Sequence, residues 1–377
     1  MLYFDSAATS YYKPDNVAQA VYDAIKNSGN ASRGTHEVSL NIDRMILDTR
    51  EKICRLFNGD SPDKVAFTSN ITESLNLIIQ SLFEKGDHVI TTSVEHNSVL
   101  RPLYLKEKSG MELTIIPADK SGNINYEDIK SAVKSNTKAI IVTHASNVTG
   151  NIVDIGKIGI ISKENNILFI LDTAQTAGII PIDMKENNID ILCFTGHKSL
   201  LGPQGTGGIC LNKNIEIKPI KVGGSGFSSH LKEHPQLMPT ALEAGTLNSC
   251  GIAGLNAALA WLEKEDLKLL KEKEDILMWY FYNEIKDNPD IKIYGDFSTK
   301  DRCAIVSFNY IDYDSSIVGD YLWENYKIAC RTGFHCAPLT HQALGTTEQG
   351  AVRISFSHFN NKDQVKLLID AINALED

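Results

Sequence analysis

The chain has 377 residues, enough for two domains that share a large hydrophobic core. Hydrophobic residues make up 42% and charged residues 22%, as in ordinary globular proteins. The net charge of −10 argues against a nucleic-acid-binding groove as the main function, and no apolar run approaches the roughly 20 residues that a membrane helix needs.

Cysteine usage and the first residues predict a cytoplasmic protein. The segment MLYFDSAATS lacks a basic region followed by an apolar stretch, so we expect no export signal. The seven cysteines are odd in number and scattered, which favours reduced thiols inside a cell over a disulfide framework.

An alternating pattern between residues 64 and 211 predicts an α/β fold. Short β-rich runs are separated by helix-length segments of mixed polarity. These runs are KVAFT, HVITT, LTIIP, AIIVTH, ILFILD and IDILCF. Parallel strands joined by crossover helices give this alternation. We therefore predict a mainly parallel central sheet with flanking helices.

A smaller α+β domain is predicted after the glycine-rich connector KVGGSGFSSHLKEHPQLMP. A long helical region begins near residue 249, and the runs AIVSFN, KIACRT and AVRISF then alternate with further helices. We place the large domain at residues 13–250. The small domain comprises residues 1–12 and 251–377.

Polar residues follow the predicted strands, where ligands bind in open α/β sheets. The turn Asn70-Ile71-Thr72 follows KVAFT and opens a helix, so its amides and hydroxyl suit a phosphate. An ordinary helix N-cap is the simpler interpretation of this turn taken alone. His96 follows HVITT, and a lone histidine is more often structural than functional.

Three later strand ends carry further candidates. Asn147 follows AIIVTH, and Asp172 ends ILFILD with Gln175 three positions later. Asp172 could cap a helix, bind a metal or pair with a protonated ring nitrogen. Lys198, beside His197, could form a Schiff base with an aldehyde if it is partly desolvated, although a solvated surface lysine is the simpler interpretation in isolation.

The ordered set of strand-end residues matches the parts of pyridoxal 5′-phosphate. Asp172 suits the pyridinium nitrogen, His96 could stack on the ring, and Lys198 suits the aldehyde. The candidate phosphate partners are Thr72, Thr195 and His197. No single residue is specific, but the set in this order predicts this cofactor.

The segment CRTGFHCAPLTH, residues 330–341, contains two cysteines and two histidines. Cys330, His335, Cys336 and His341 are ligand types that zinc accepts. His335 and Cys336 are adjacent, however, and the usual spacing of a zinc knuckle is missing. On these residues alone Cys336 could be a metal ligand, a core residue or a nucleophile.

The motifs together resemble those of the fold-type I, class V aminotransferases, and within them the cysteine desulfurases and selenocysteine lyases. They occur in the family's order nearly from end to end: YFDSAATS, SRGTH, FTSNITESLN, VEHNS, SNVTG, LDTAQTAG, TGHKSLLGPQGTGG, EAGTLN and RTGFHCAP. The short RTGxHCAP form resembles the SufS-like branch. The resemblance implies a fold-type I fold and pyridoxal phosphate as cofactor.

The resemblance also implies roles at the cofactor. Lys198 would form the Schiff base, Asp172 would keep the pyridine nitrogen protonated, and Gln175 would bind the phenolic oxygen. His96 would stack on the ring and assist proton transfer. The implied phosphate-binding residues are Ile71, Thr72, Thr195 and His197, together with Thr246 from a second subunit. A homodimer is therefore expected.

Further implied roles concern the substrate. Asn147, also at the cofactor, and Arg353 would bind the amino-acid carboxylate, since the arginine fork is bidentate. His36 would lie near the site. Cys336 would accept sulfur as a persulfide, and His335 is a candidate for activating its thiol. These roles leave little support for zinc, and we predict no metal site.

The resemblance implies conversion of L-cysteine to L-alanine, with the sulfur passed from Cys336 to an acceptor protein. Selenocysteine lyase, β-elimination and transamination remain alternatives within the cofactor class. A non-enzymatic scaffold or metal-binding protein is the alternative from another class. The family's Gly-Thr-Thr phosphate turn reads Asn70-Ile71-Thr72 here, so one hydroxyl contact is lost and lower cofactor affinity is expected.

Overall fold

The computed structural model describes residues 1–27, 29, 36–212, 215–227, 229–311 and 313–376. The strands are β1 (Leu2–Tyr3), β2 (Val65–Thr68), β3 (His88–Thr92), β4 (Glu112–Ile116), β5 (Thr137–Thr143), β6 (Leu168–Asp172), β7 (Ile191–Thr195), β8 (Gly207–Leu211), β9 (Ile291–Tyr294), β10 (Ile305–Tyr310), β11 (Ile328–Ala329) and β12 (Val352–Ser355). The helices are α1 (Asp15–Asn27), α2 (Glu37–Leu56), α3 (Ile71–Leu82), α4 (Asn97–Lys108), α5 (Tyr126–Ser131), α6 (Ile155–Glu164), α7 (Ser249–Leu262), α8 (Leu267–Ile285), α9 (Ser315–Tyr326), α10 (Pro338–Leu344) and α11 (Lys362–Asn373). Short 3₁₀ turns cover Pro62–Lys64, Thr240–Leu242 and Ala374–Glu376.

The central sheet has seven strands in the order β2-β8-β7-β6-β5-β3-β4. Strands β3 to β7 pair in parallel, whereas β8 is antiparallel to both β7 and β2. Helices cover the sheet, so the central strands β3, β7 and β8 are buried at every residue. The predicted mainly parallel α/β fold with flanking helices is confirmed.

The start of β8 shapes the turn Asn70-Ile71-Thr72, at which α3 begins. A Cβ at Gly207 would lie 2.7 Å from the Cα of Asn70, too close for any side chain. The absence of a side chain therefore lets the turn lie directly on the sheet. Asn70 caps α3, its side chain accepting a hydrogen bond from the amide of Glu73 at 3.0 Å.

A second, antiparallel sheet has the order β12-β10-β9. Its core includes Phe281 of α8, Phe308 of β10 and Ile354 of β12. Strand β1 pairs in parallel with β11, and Phe4 joins the same core. The first residues therefore pack with this later part of the chain.

The proposed domain boundary near residue 250 stays a prediction. Helix α7, which follows it, packs against α1 and α2 and adds Leu255 and Leu259 to the larger core. After Phe4, the core of the antiparallel sheet takes its next residue from α8, at Leu277. None of the described helices is long and apolar enough to cross a membrane.

Candidate active site

A cavity of about 470 Å³ lies at the carboxyl ends of β5, β6 and β7. This volume is in the range of small-molecule sites. Many of the residues singled out in the sequence line it: Ile71, Thr72, His96, Asn147, Asp172, Gln175, Thr195, His197, Lys198 and Arg353. The parallel strands bring these residues together because their carboxyl ends share one edge of the sheet.

Lys198 and Asp172 line this cavity, and burial shifts the pKa values of their side chains in opposite directions. Burial, and then the positive charge of Arg353, lower the pKa of Lys198 from 10.5 to about 8. Asp172 is buried, and burial raises the pKa of its carboxyl, while a hydrogen bond from the amide of Ala174 at 2.8 Å and the charge of Lys198 oppose that rise. A cation placed against Asp172 would be stabilised there.

The cavity lining also has polar groups suited to an anion. Thr72 shares a hydrogen bond of 2.7 Å with the hydroxyl of Ser98. The hydroxyl oxygen of Thr195 is buried and has no hydrogen-bond partner among the described residues. The first amides of α3, at Ile71 and Thr72, have no intrahelical acceptor and lie at the positive end of the helix.

Two histidines at the cavity are held neutral. The pKa of His96 and that of His197 are each lowered to about 4, by burial first and then by the charge of Lys198. His96 caps α4, its Nδ1 accepting a hydrogen bond from the amide of Ser98 at 3.0 Å, which fixes the ring. His197 contacts the hydroxyl of Thr9 through Nδ1 at 3.0 Å.

Arg353 is fully buried, and of its guanidinium only the two terminal nitrogens form hydrogen bonds with the described residues. One arm donates to the carbonyl of Asn147 at 2.9 Å, and the other forms a 2.7 Å ion pair with Asp5. Its Nε has no partner among the described residues. Gln175, on the cavity wall, donates to the carbonyl of Ala7 at 3.2 Å.

Cys336 lies outside the cavity lining and is exposed, on the loop between β11 and α10. Its carbonyl accepts a hydrogen bond of 2.7 Å from the amide of Asn97, the residue after His96. Arg331, which lines the cavity, donates to its sulfur at 3.6 Å. The thiol is therefore exposed while its loop is attached to the cavity wall.

His335 does not activate the thiol as a charged neighbour. It is buried, and burial lowers its pKa to about 2, so the ring is neutral. The positive charge beside the sulfur comes from Arg331. No group of three or more potential metal ligands occurs among the described residues, and His335 pairs with His341 at 3.3 Å.

Thr246 and His36 lie apart from the cavity lining. Thr246 lines a different cavity of about 300 Å³ beside Glu73 and Glu243. His36 caps α2, and its Nδ1 accepts from the amide of Ser39 at 3.4 Å. Residues 32–35 of the SRGTH motif lie outside the described residues.

Sequence reasoning missed two charged residues of the site, Arg331 and Asp5. Both stand inside quoted motifs, RTGFHCAP and YFDSAATS, and the nearness of Arg331 to Cys336 in the sequence was the available signal. Nothing local links Asp5 to Arg353, because 348 positions separate them.

The chain is similar to known proteins over its whole length. The sequence model of the family described as Aminotransferase class-V matches residues 2–368. A probable cysteine desulfurase of Methanothermobacter thermautotrophicus is 30% identical, over 99% of this chain and 94% of its own length. Another, of Pyrococcus abyssi, is 32% identical over 100% of this chain and 94% of its own length.

Solved structures give the same result. The apo structure of a cysteine desulfurase from Thermococcus onnurineus matches with a TM-score of 0.92 at 30% identity, covering 99% of this chain and 94% of that one. A cysteine desulfurase structure from Escherichia coli matches with a TM-score of 0.88 at 27% identity, covering 99% of this chain and 94% of that one.

Proposed function

Because the chain belongs to the class V aminotransferase family and matches cysteine desulfurases throughout its length, we propose that it converts L-cysteine to L-alanine and accepts the sulfur on Cys336. The position of Cys336 carries this proposal. Its exposed sulfur lies 3.6 Å from Nη2 of Arg331, a residue that lines the cavity. A sulfur acceptor must be reachable both from a bound substrate and from outside.

The cavity fits pyridoxal 5′-phosphate as the cofactor. The hydroxyl of Thr195, which has no partner among the described residues, and the first amides of α3 suit the phosphate. The buried Asp172 suits a protonated ring nitrogen. Lys198 would hold the aldehyde carbon. When bound, the cofactor supplies an electron sink that permits cleavage of the Cα–H and Cβ–S bonds of an amino acid.

Lys198 can also move the proton at Cα of the substrate. With a pKa of about 8, a substantial fraction of its amine is neutral and able to accept a proton slightly above neutral pH. The neutral ring of His96 is held in place beside it by Ser98. Arg353, with Asn147, would bind the substrate carboxylate through the N–H groups that Asp5 leaves free.

Cys336 completes the proposed reaction. Its sulfur forms a bond to the sulfur of the substrate as the Cβ–S bond breaks, and the electron pair of that bond stays with the carbon. The carbon then takes a proton and leaves as L-alanine, while Cys336 carries the persulfide. A second thiol, on an acceptor protein, would take the outer sulfur and restore Cys336 for the next turnover.

We extend the proposal to a homodimer in which Thr246 reaches the phosphate of the neighbouring site. Thr246 lies outside the Lys198 cavity of its own subunit, which supports a role elsewhere. The segment before it exposes apolar side chains, among them Val222 at 67% and Leu237 at 82%. The proposed location is the cytoplasm, an inference that rests on the unpaired cysteines.

The test is release of alanine from L-cysteine and from L-selenocysteine, with a thiol reductant, by the protein loaded with pyridoxal phosphate. We expect release from L-cysteine by wild type and none by Cys336→Ser. The matched control is Cys250→Ser, because Cys250 lies on α7 outside the cavity lining. Turnover of selenocysteine alone would identify a lyase, and no alanine from either substrate would overturn the proposed reaction.

A further inference from the structure

The loop that carries Cys336 has an unusual backbone. His335 and Cys336 are consecutive residues with positive φ, 50° and 57°, a backbone conformation that residues other than glycine rarely adopt. Such a conformation persists when surrounding contacts hold it. The contacts around this pair therefore show what keeps the sulfur in its place.

Besides the backbone pairing of Arg331 with Arg353 and of Gly333 with Ala351, three hydrogen bonds to carbonyl oxygens hold the His335–Cys336 pair. The side-chain amide of Asn147 donates to the carbonyl of His335 at 2.8 Å, and the amide of Asn97 donates to the carbonyl of Cys336 at 2.7 Å. The third joins Nε2 of His335 to the carbonyl of Arg331 at 3.3 Å. This third bond alone depends on the protonation pattern of a ring.

His335 is one member of a buried chain of polar groups. Its Nδ1 lies 3.3 Å from Nε2 of His341, and Nδ1 of His341 lies 2.7 Å from the hydroxyl of Thr346. His335, His341 and Thr346 are all buried, at 2%, 0% and 3% exposure. Burial lowers the pKa of His335 to about 2 and that of His341 to about 4, so both rings are neutral.

One proton arrangement satisfies the whole chain. The carbonyl of Arg331 can only accept, so Nε2 of His335 must carry the hydrogen and Nδ1 must accept. His341 must then donate from Nε2 and accept at Nδ1, which requires the hydroxyl of Thr346 to donate. That hydroxyl also lies 3.3 Å from the carbonyl of His341, but the shorter contact is with the ring.

We infer that His341 is a positioning residue for the sulfur-transfer step, acting through His335 and oriented by Thr346. Without the donor at Thr346, His341 can adopt the opposite tautomer. His335 would then donate to His341 and turn a lone pair towards the carbonyl of Arg331. The His335–Cys336 pair would lose its ring bond to the carbonyl of Arg331, and Cys336 would be held less firmly beside Arg331. This inference rests on the proposed function.

The test compares Thr346→Val, which removes the hydroxyl, with Thr346→Ser, which keeps it, both in the full chain loaded with pyridoxal phosphate. Hydrogen exchange of the peptide 330–341 reports how firmly the loop is held. Alanine release from L-cysteine gives kcat and KM. We expect faster loop exchange in Thr346→Val and a kcat about tenfold lower with KM unchanged, because misplacing a reacting atom affects the chemical step more than binding.

The second variant pair is His341→Gln and His341→Phe. The glutamine amide can still donate to His335, so we expect loop exchange and kcat near those of wild type, whereas phenylalanine should behave like Thr346→Val. If His341 acted only through packing, glutamine would not restore the loop exchange and kcat of wild type. Unchanged loop exchange in Thr346→Val, or faster exchange with unchanged kcat, would overturn the inference. Absence of alanine release by wild type would instead overturn the proposed function, and loop exchange would still show whether the chain holds the loop.

Discussion

Replacing Lys198 with methionine should stabilise the cofactor-free protein at neutral pH, because the lysine is held where its charge is unfavourable. Burial and the nearby guanidinium of Arg353 lower its pKa from 10.5 to about 8, and Asp172 only partly opposes them. Methionine has a similar length and no charge. The substitution therefore removes the electrostatic cost while filling most of the same space.

The size and pH dependence follow from proton linkage. The unfolded chain keeps the Lys198 proton up to about pH 10.5, whereas the folded protein releases it near pH 8. The charge of Lys198 therefore lowers the free energy of unfolding by its full amount below pH 8, and this destabilisation disappears as pH rises to 10.5. At about 1.36 kcal/mol per pH unit it cannot exceed about 3.4 kcal/mol. Solvent in the cavity reduces it, and Asp172 loses its cationic neighbour in the variant, so we expect a gain of about 1–2 kcal/mol.

The assay is urea unfolding of both proteins at about pH 7 and about pH 10, which yields the free energy of unfolding in each case. The control is Lys130→Met, an exposed lysine on α5, which should change that free energy by less than about 0.5 kcal/mol. The reasoning would be refuted if Lys198→Met were less stable than wild type at pH 7. It would also be refuted if the variant's gain in the free energy of unfolding were the same at both pH values.

Three further outcomes are expected. Thr246→Ala should weaken retention of pyridoxal phosphate severalfold, measured by equilibrium dialysis; unchanged retention would contradict the shared site. Ile71→Thr adds a hydroxyl at the turn that we propose binds the phosphate, and should tighten the same binding about fivefold, the effect of about 1 kcal/mol from one added hydrogen bond. Weaker binding would show that the loss of the buried isoleucine side chain outweighs the added hydrogen bond. Glu243→Ala leaves the buried Arg50, paired at 2.7 Å, without its carboxylate and should cost about 3 kcal/mol in urea unfolding. The exposed partner Glu263, in its pair with Arg55, is the matched control and should cost under about 1 kcal/mol.

The parts of the site that lie at strand ends could be predicted from the sequence. Asp172 and Thr195 each end a run of apolar residues that is buried in the sheet. Because parallel strands share one carboxyl edge, the order of such runs already places their last residues together. The pattern did not give the direction of β8, since the short apolar run GGICL suits either orientation.

The charges that act across the site could not be predicted in this way. His335 has the residue type of a thiol activator, but its burial, which makes it neutral, depends on α10 folding over it. Asp5 meets Arg353 only because β1 pairs with β11 and brings the first residues beside β12. Such contacts leave no periodic signal in the sequence, because each is a single pair between distant segments.

The contact of Asp5 with Arg353 also bears on how the protein is made. The two residues are 348 positions apart, and Ala7 likewise donates to the hydroxyl of Ser355 at 2.9 Å. A ribosome adds residues in order, so Lys198 and Asp172 emerge well before the strand that carries Arg353 has been synthesised. The cavity therefore gains Arg353 only once the later strands have been added, and a cofactor bound earlier would meet a site without the arginine that we propose binds the substrate carboxylate.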